Sequence, residues 1–102
     1  MLPIFSNINK IEKGWGYEII FANNKNYCGK ILHFNKNSKM SMHYHLKKEE
    51  TWYVNQGSFI FRWIDTKTAK IEEKELVKGN NIIIPIGLPH QLETKEGGEI
   101  FE

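Results

Sequence analysis

Short runs in which apolar and polar residues alternate cover most of the chain: YEIIFA at 17–22, YCGKILHF at 27–34, TWYVN at 51–55, SFIFRWI at 58–64, AKIEEKEL at 69–76, NIIIP at 81–85, HQLE at 90–93 and EIFE at 99–102. They are rich in β-branched and aromatic side chains, and that composition over such lengths predicts strands. Between them stand NNKN, NKNS, NQG, DTKT, KGN, IGLP and KEGG, the residues that make turns. No longer window keeps apolar positions at helical spacing between start and stop signals, and only INKIEKG at 8–14 could form a short helical turn. Many short strands with Gly, Pro and Asn turns predict an all-β sandwich or small barrel. The barrel is the more economical solution, because closure or pairing with a second copy protects the sheet edges.

A chain of 102 residues makes one domain, residues 1–102, with one core. The net charge is +2, and thirteen lysines and the single Arg62 are interspersed with twelve carboxylates, so no nucleic-acid or membrane surface is expected. No apolar run reaches the length of a signal peptide or a membrane span, which makes the expected protein soluble and cytoplasmic. The one cysteine, Cys28, lies among apolar neighbours and reads as a buried, inert thiol.

The candidate chemistry begins at MHYHLKKEETWYV, residues 42–54. Side chains on a strand alternate faces, so His43 and His45 point the same way and Tyr44 points the other. A turn through LKKE folds Glu50 back beside them. With Glu50 on the inner face, Trp52 and Val54 share it, while Glu49, Thr51 and Tyr53 face outward. A second segment, GNNIIIPIGLPHQLET, uses Gly79, Pro85 and Gly87 to make a corner that aims His90 inward. Imidazole and carboxylate groups that converge in this way have the ligand types of a metal site.

Residues 43–57 read H-Y-H, four residues, E, six residues, G; residues 79–90 read G, five residues, P-I-G, two residues, H. In type and spacing these resemble the two motifs of the cupin superfamily, over nearly the whole chain. The flanking text WGYEII, SMHYHLKKEETWYV, IPIGLPHQLE and EIFE is most similar to small cupins of the type II mannose-6-phosphate isomerase-like kind. The resemblance implies a single jelly-roll β-barrel whose ion is held by His43, His45, Glu50 and His90. Cupins often place Asn four residues after the last histidine, where this chain has Thr94. Small cupins also pair through an N-terminal strand, which implies a homodimer built with the apolar MLPIFSNI.

Three imidazoles and one carboxylate suit a divalent transition metal, Zn, Fe, Mn, Ni or Cu, better than calcium or magnesium. The open coordination positions would take water or an oxygen of a small-molecule ligand. Three uses are then expected to compete. One is a metal-dependent isomerase, epimerase or binder of a sugar or sugar phosphate, another a ferrous dioxygenase, and the third a non-enzymatic ligand-sensing module. A proton-transfer enzyme also needs a base, for which Glu49, Tyr53 and His33 are candidates. Arg62 and Lys30 are candidates to meet a substrate phosphate or carboxylate. Trp52, Phe59, Phe61 and Trp63 would line a dry pocket or, more simply, fill the barrel core.

Overall fold

The computed structural model describes residues 1–102 and contains nine strands: β1 Asn9–Lys13, β2 Gly16–Asn23, β3 Cys28–Phe34, β4 Ser38–Lys39, β5 Glu50–Ile64, β6 Ile71–Val77, β7 Asn81–Ile84, β8 His90–Thr94 and β9 Gly98–Phe101. All pairings are antiparallel, in the order β1-β2-β3-β9-β5-β8-β4, with β6 and β7 also on β5. The all-β reading holds, and the sheet curls into a jelly-roll barrel. No helix is long and apolar enough to cross a membrane.

Strand β5 organises the barrel. Its first half, through Gly57, pairs with β7 and β9, and its second half, from Ser58, pairs with β6 and β8. The sequence predicts two strands broken by a turn at NQG, whereas one fifteen-residue strand runs through. A bulge between Val54 and Gln56 and a positive φ of 87° at Gly57 bend the strand from one sheet into the other without releasing it. The bulge also shifts the alternation: Glu50, Trp52 and Val54 are buried before it, Phe59 and Phe61 after it. These rings pack with Leu32, Phe34, Met40, Leu76, Ile84, Leu92 and Ile100, so Trp52, Phe59 and Phe61 are core, with Trp63 packed against it.

Two local expectations are corrected. INKIEKG forms no helical turn: Asn9–Lys13 pairs in register with Gly16–Ile20 across a hairpin turn at Gly14 and Trp15. The sheet edge offered by β2 outweighs the weak helical spacing of Ile8 and Ile11. Cys28 is exposed, not buried. It shares parity with Leu32 and Phe34 but sits at the tip of the β2–β3 hairpin, paired with Asn23, beyond the stretch of β3 that β9 and Glu102 cover.

Before β1, Met1, Leu2, Ile4, Phe5 and Ile8 are exposed. On the outer face of the sheet, Ile19, Ile31, Phe101 and Tyr53 follow one another across β2, β3, β9 and β5. Phe101 and Tyr53 are both exposed there, stacked at 6.2 Å between ring centroids.

Candidate metal centre

His43 and His45 lie in an extended segment held by few bonds. Met40 donates its N–H to the Leu92 carbonyl, His43 and His90 exchange backbone hydrogen bonds at 3.0 and 2.9 Å, and Gly87 donates to the His45 carbonyl. This is a single bridge rather than a full strand ladder, yet it sets both imidazoles on the inner side beside His90. Their ring centroids are 5.1 Å apart for His43 and His45, 4.4 Å for His43 and His90, and 5.8 Å for His45 and His90. Ligand atoms from all three lie within 4.8 Å of one another. Three nitrogens bonded to one ion at about 2.1 Å are roughly 3.0–3.6 Å apart, so the triad needs only a modest contraction to close on an ion.

The remaining ring atoms set the tautomers. Nδ1 of His43 lies 2.8 Å from the Ser41 carbonyl and Nδ1 of His90 lies 2.8 Å from the Leu88 carbonyl. A carbonyl can only accept, so Nδ1 carries the proton in both rings and Nε2 presents its lone pair. Burial holds the His90 imidazole below its ordinary pKa, and the Leu88 carbonyl offsets this only in part. Burial, then the charges of Lys48 and His43, do the same for His45. Both rings are therefore neutral bases at pH 7.

Two buried polar atoms here have no hydrogen-bond partner, His90 Nε2 and Glu50 Oε1. Oε1 of Glu50 stands 2.5 Å from His45 Nε2 without the alignment of a hydrogen bond. A buried carboxylate oxygen and a buried ring nitrogen without partners cost on the order of 1–3 kcal/mol per unsatisfied group. A divalent cation removes that cost, and the donor set of three imidazoles and one carboxylate fits such an ion.

A residue that sequence reasoning missed completes the arrangement. Trp52 Nε1 donates to Glu50 Oε2 at 2.9 Å and to Glu102 Oε1 at 3.0 Å, so the indole fixes both carboxyl groups and leaves Glu50 Oε1 free for the histidines. Burial, followed by hydrogen bonding to Glu50 and its charge, raises the Glu102 pKa to about 7. Alternation could have found it, since Glu102 follows the buried Ile100 by two residues. Its folded pKa lies above its unfolded value, so its contribution to stability is complete below about pH 4.5 and is lost as pH rises through about 7. Glu102→Gln should therefore stabilise the chelator-treated protein at pH 8, by on the order of 1–3 kcal/mol, and change it little at pH 5. The Glu102 charge raises the His45 and His90 pKa values, yet both remain lowered overall, so at pH 8 these imidazoles are neutral with or without it. Equal melting temperatures at pH 8 would contradict this.

His43, His45, Glu50, Trp52 and Glu102 open onto a cavity of about 510 Å³, with His90 fully buried behind them. Lys30 lines the same cavity. Arg62 does not: it points from β5 to the outside, bonded to Glu93 at 2.7 Å and Glu73 at 3.0 Å. None of the three candidate bases lines it either. Glu49 is exposed, Tyr53 stacks on Phe101, and His33 stacks on Tyr17 at 4.7 Å. Thr94 is buried in the barrel wall, donating to the Ser58 carbonyl and accepting from the Gly97 N–H, and so braces the β8–β9 turn.

Comparison with solved structures finds the same fold in proteins of diverse kinds. CapF, the capsular polysaccharide assembling protein of Staphylococcus aureus, superposes with a TM-score of 0.79 at 17% identity over 95% of this chain and 28% of its own. The Drosophila melanogaster CENP-C cupin domain gives 0.80 at 14% identity over 92% of this chain and 72% of that one. Bacillus subtilis oxalate decarboxylase, a protein with Mn(II) centres, gives 0.80 at 25% identity over 95% of this chain and 27% of its own. The chain thus spans less than a third of CapF and of the decarboxylase. No curated protein sequence matches it. The family model described as Cupin matches residues 23–101, which include both histidine segments and Glu50, and the chain belongs to the cupin family.

Proposed function

We propose that this cupin holds one divalent transition metal ion through His43, His45, Glu50 and His90, and uses it to bind a polar small molecule of the sugar or sugar-phosphate kind. The observation that carries this reading is the cluster of three imidazoles, with the buried Glu50 carboxylate set against His45 and with His90 Nε2 and Glu50 Oε1 left unpartnered. When bound, the ion supplies Lewis acidity toward a ligand carbonyl or hydroxyl. The chain's own residues do the rest: Ser41 and Leu88 carbonyls orient His43 and His90, and Trp52 orients Glu50. Glu49, Tyr53 and His33 all lie off the cavity, so none of the three serves as a base at the centre. The test is thermal unfolding of chelator-treated protein with and without added Mn²⁺ or Zn²⁺. A rise in Tm that chelator reverses is expected, and its absence with both ions overturns the reading.

The partner for the apolar outer face and the exposed N-terminal segment is a second copy of the chain. Pairing there would bury Phe101, Tyr53 and the side chains of Leu2, Ile4 and Phe5, which a monomer leaves in water. Light scattering at micromolar concentration should give twice the 12.0 kDa chain mass. The mass of one chain would refute the pairing.

A further inference from the structure

We infer that the ligand of this cavity carries an oxyanion, a carboxylate or phosphate, and that Lys30 receives it while the ligand's hydroxyl oxygens face the metal centre; the second half of this statement rests on the function proposed above. Lys30 lies on β3 two residues before the core residue Leu32, so its stem runs along the inner wall and its side chain is only 18% exposed. Its Nζ is 3.8 Å from Glu18 Oε1 and 4.0 Å from Glu102 Oε2. These separations let both carboxylates hold the ammonium in place electrostatically, yet they exceed hydrogen-bond length. The ammonium has three donors, and no side chain or carbonyl accepts from it. A nearly buried cation whose donors face a cavity has the form of a subsite for a charged acceptor, because a charge-assisted hydrogen bond is made where none existed.

The surroundings select the same ligand. Lys13, Lys39 and Lys48 also line the cavity. Lys13 and Lys48 each have one carboxylate at 4.0 and 3.8 Å, and Lys39 has none within 4.0 Å. Against these four cations stand Glu18, Glu50 and Glu102, of which Glu50 is committed to the metal. With an ion bound, the cavity is strongly positive, and a field of one sign in a cleft concentrates ligands of the other. A neutral sugar gains nothing from it. A cavity of about 510 Å³ is of the size that holds a small metabolite.

The test is calorimetric titration of the Mn²⁺-loaded protein with glycerol, glycerate and glycerol 3-phosphate, which share hydroxyl donors and differ in the oxyanion. Glycerate or glycerol 3-phosphate, or both, should bind at least about tenfold tighter than glycerol, and the stronger of the two identifies the oxyanion. Lys30→Met should erase about tenfold of that preference, with the manganese content of the same samples unchanged, and Lys30→Arg should retain most of it. Equal binding of glycerol and both acids by the wild type overturns the inference, whether or not Lys30→Met folds. So does a Lys30→Met protein that keeps its metal and the full preference, since the oxyanion would then sit on the ion. A wild type that takes up no metal overturns the proposed function alone. Lys30 is then judged in the metal-free protein, where glycerol 3-phosphate should raise the Tm of the wild type and not of Lys30→Met, and equal shifts would overturn it.

Discussion

Replacing His43 with alanine is expected to remove most of the stabilisation that added metal gives and leave the metal-free protein nearly as stable as before. His43 is only half-buried and faces the cavity, so its truncation leaves little void. Its loss removes one of the four proposed ligands. Residues that merely orient a ligand cost about 10- to 100-fold in metal affinity when changed, so losing a ligand should cost at least about 100-fold. At a metal concentration about 100 times the dissociation constant, binding adds about 2.7 kcal/mol to the wild type. In a domain of this size that is roughly 10–20 °C in Tm. The same concentration would then stand near the variant's dissociation constant and add only about 0.4 kcal/mol, a shift of a few degrees. His90→Ala is less informative, because His90 is 0% exposed and its removal also opens a cavity in the core. A His43→Ala protein stabilised by metal as fully as the wild type would remove His43 from the site.

The second large effect is expected at Gly57, where β5 bends from one sheet into the other. Its φ of 87° is one that side chains with a Cβ rarely adopt, and a Cβ added there would collide with the Gly97 carbonyl oxygen and approach Gly98 Cα to 2.9 Å. Backbone strain of this kind costs about 1–3 kcal/mol, and the contact adds to it because Gly97 and Gly98 are themselves held in the β8–β9 connection. Gly57→Ala should therefore lose roughly 3 kcal/mol or more, with a midpoint shift in urea unfolding to match. Gly79 is the internal control. Its φ is 94°, but nothing lies within 4 Å of an added Cβ, so Gly79→Ala should cost only about 1 kcal/mol. Equal losses at the two positions would show that close approach at Gly57 is not what requires glycine.

What the sequence reveals here is what strand alternation and turn chemistry can carry. Both are local. They set His43, His45, Glu50 and His90 on inner faces and Glu49 and Tyr53 outside, as in the folded chain. Applied further, the same alternation places Arg62 opposite Phe61 and sends it outward to Glu73 and Glu93, and it places Glu102 with Ile100 inside. These were legible in principle. The continuity of β5 was not, because NQG has the composition of a turn and only the distant pairings of Gln56 with Glu99 and Gly57 with Gly98 keep the strand intact. Cys28 and the segment at 8–14 show the same limit, since hairpin position decides one and a neighbouring strand edge the other. Trp52 donates to Glu50, two residues away, and also to Glu102, fifty residues away, and no local pattern encodes that second contact.

The most direct measurement is elemental analysis of the wild type and His43→Ala after each has been equilibrated with Mn²⁺ or Zn²⁺ and freed of loosely bound ions. The wild type is expected to retain about one ion per chain and the variant almost none. A wild-type protein that retains no metal, or a variant that retains as much as the wild type, would show that the imidazoles and the carboxylate at the inner end of this barrel do not form a metal centre.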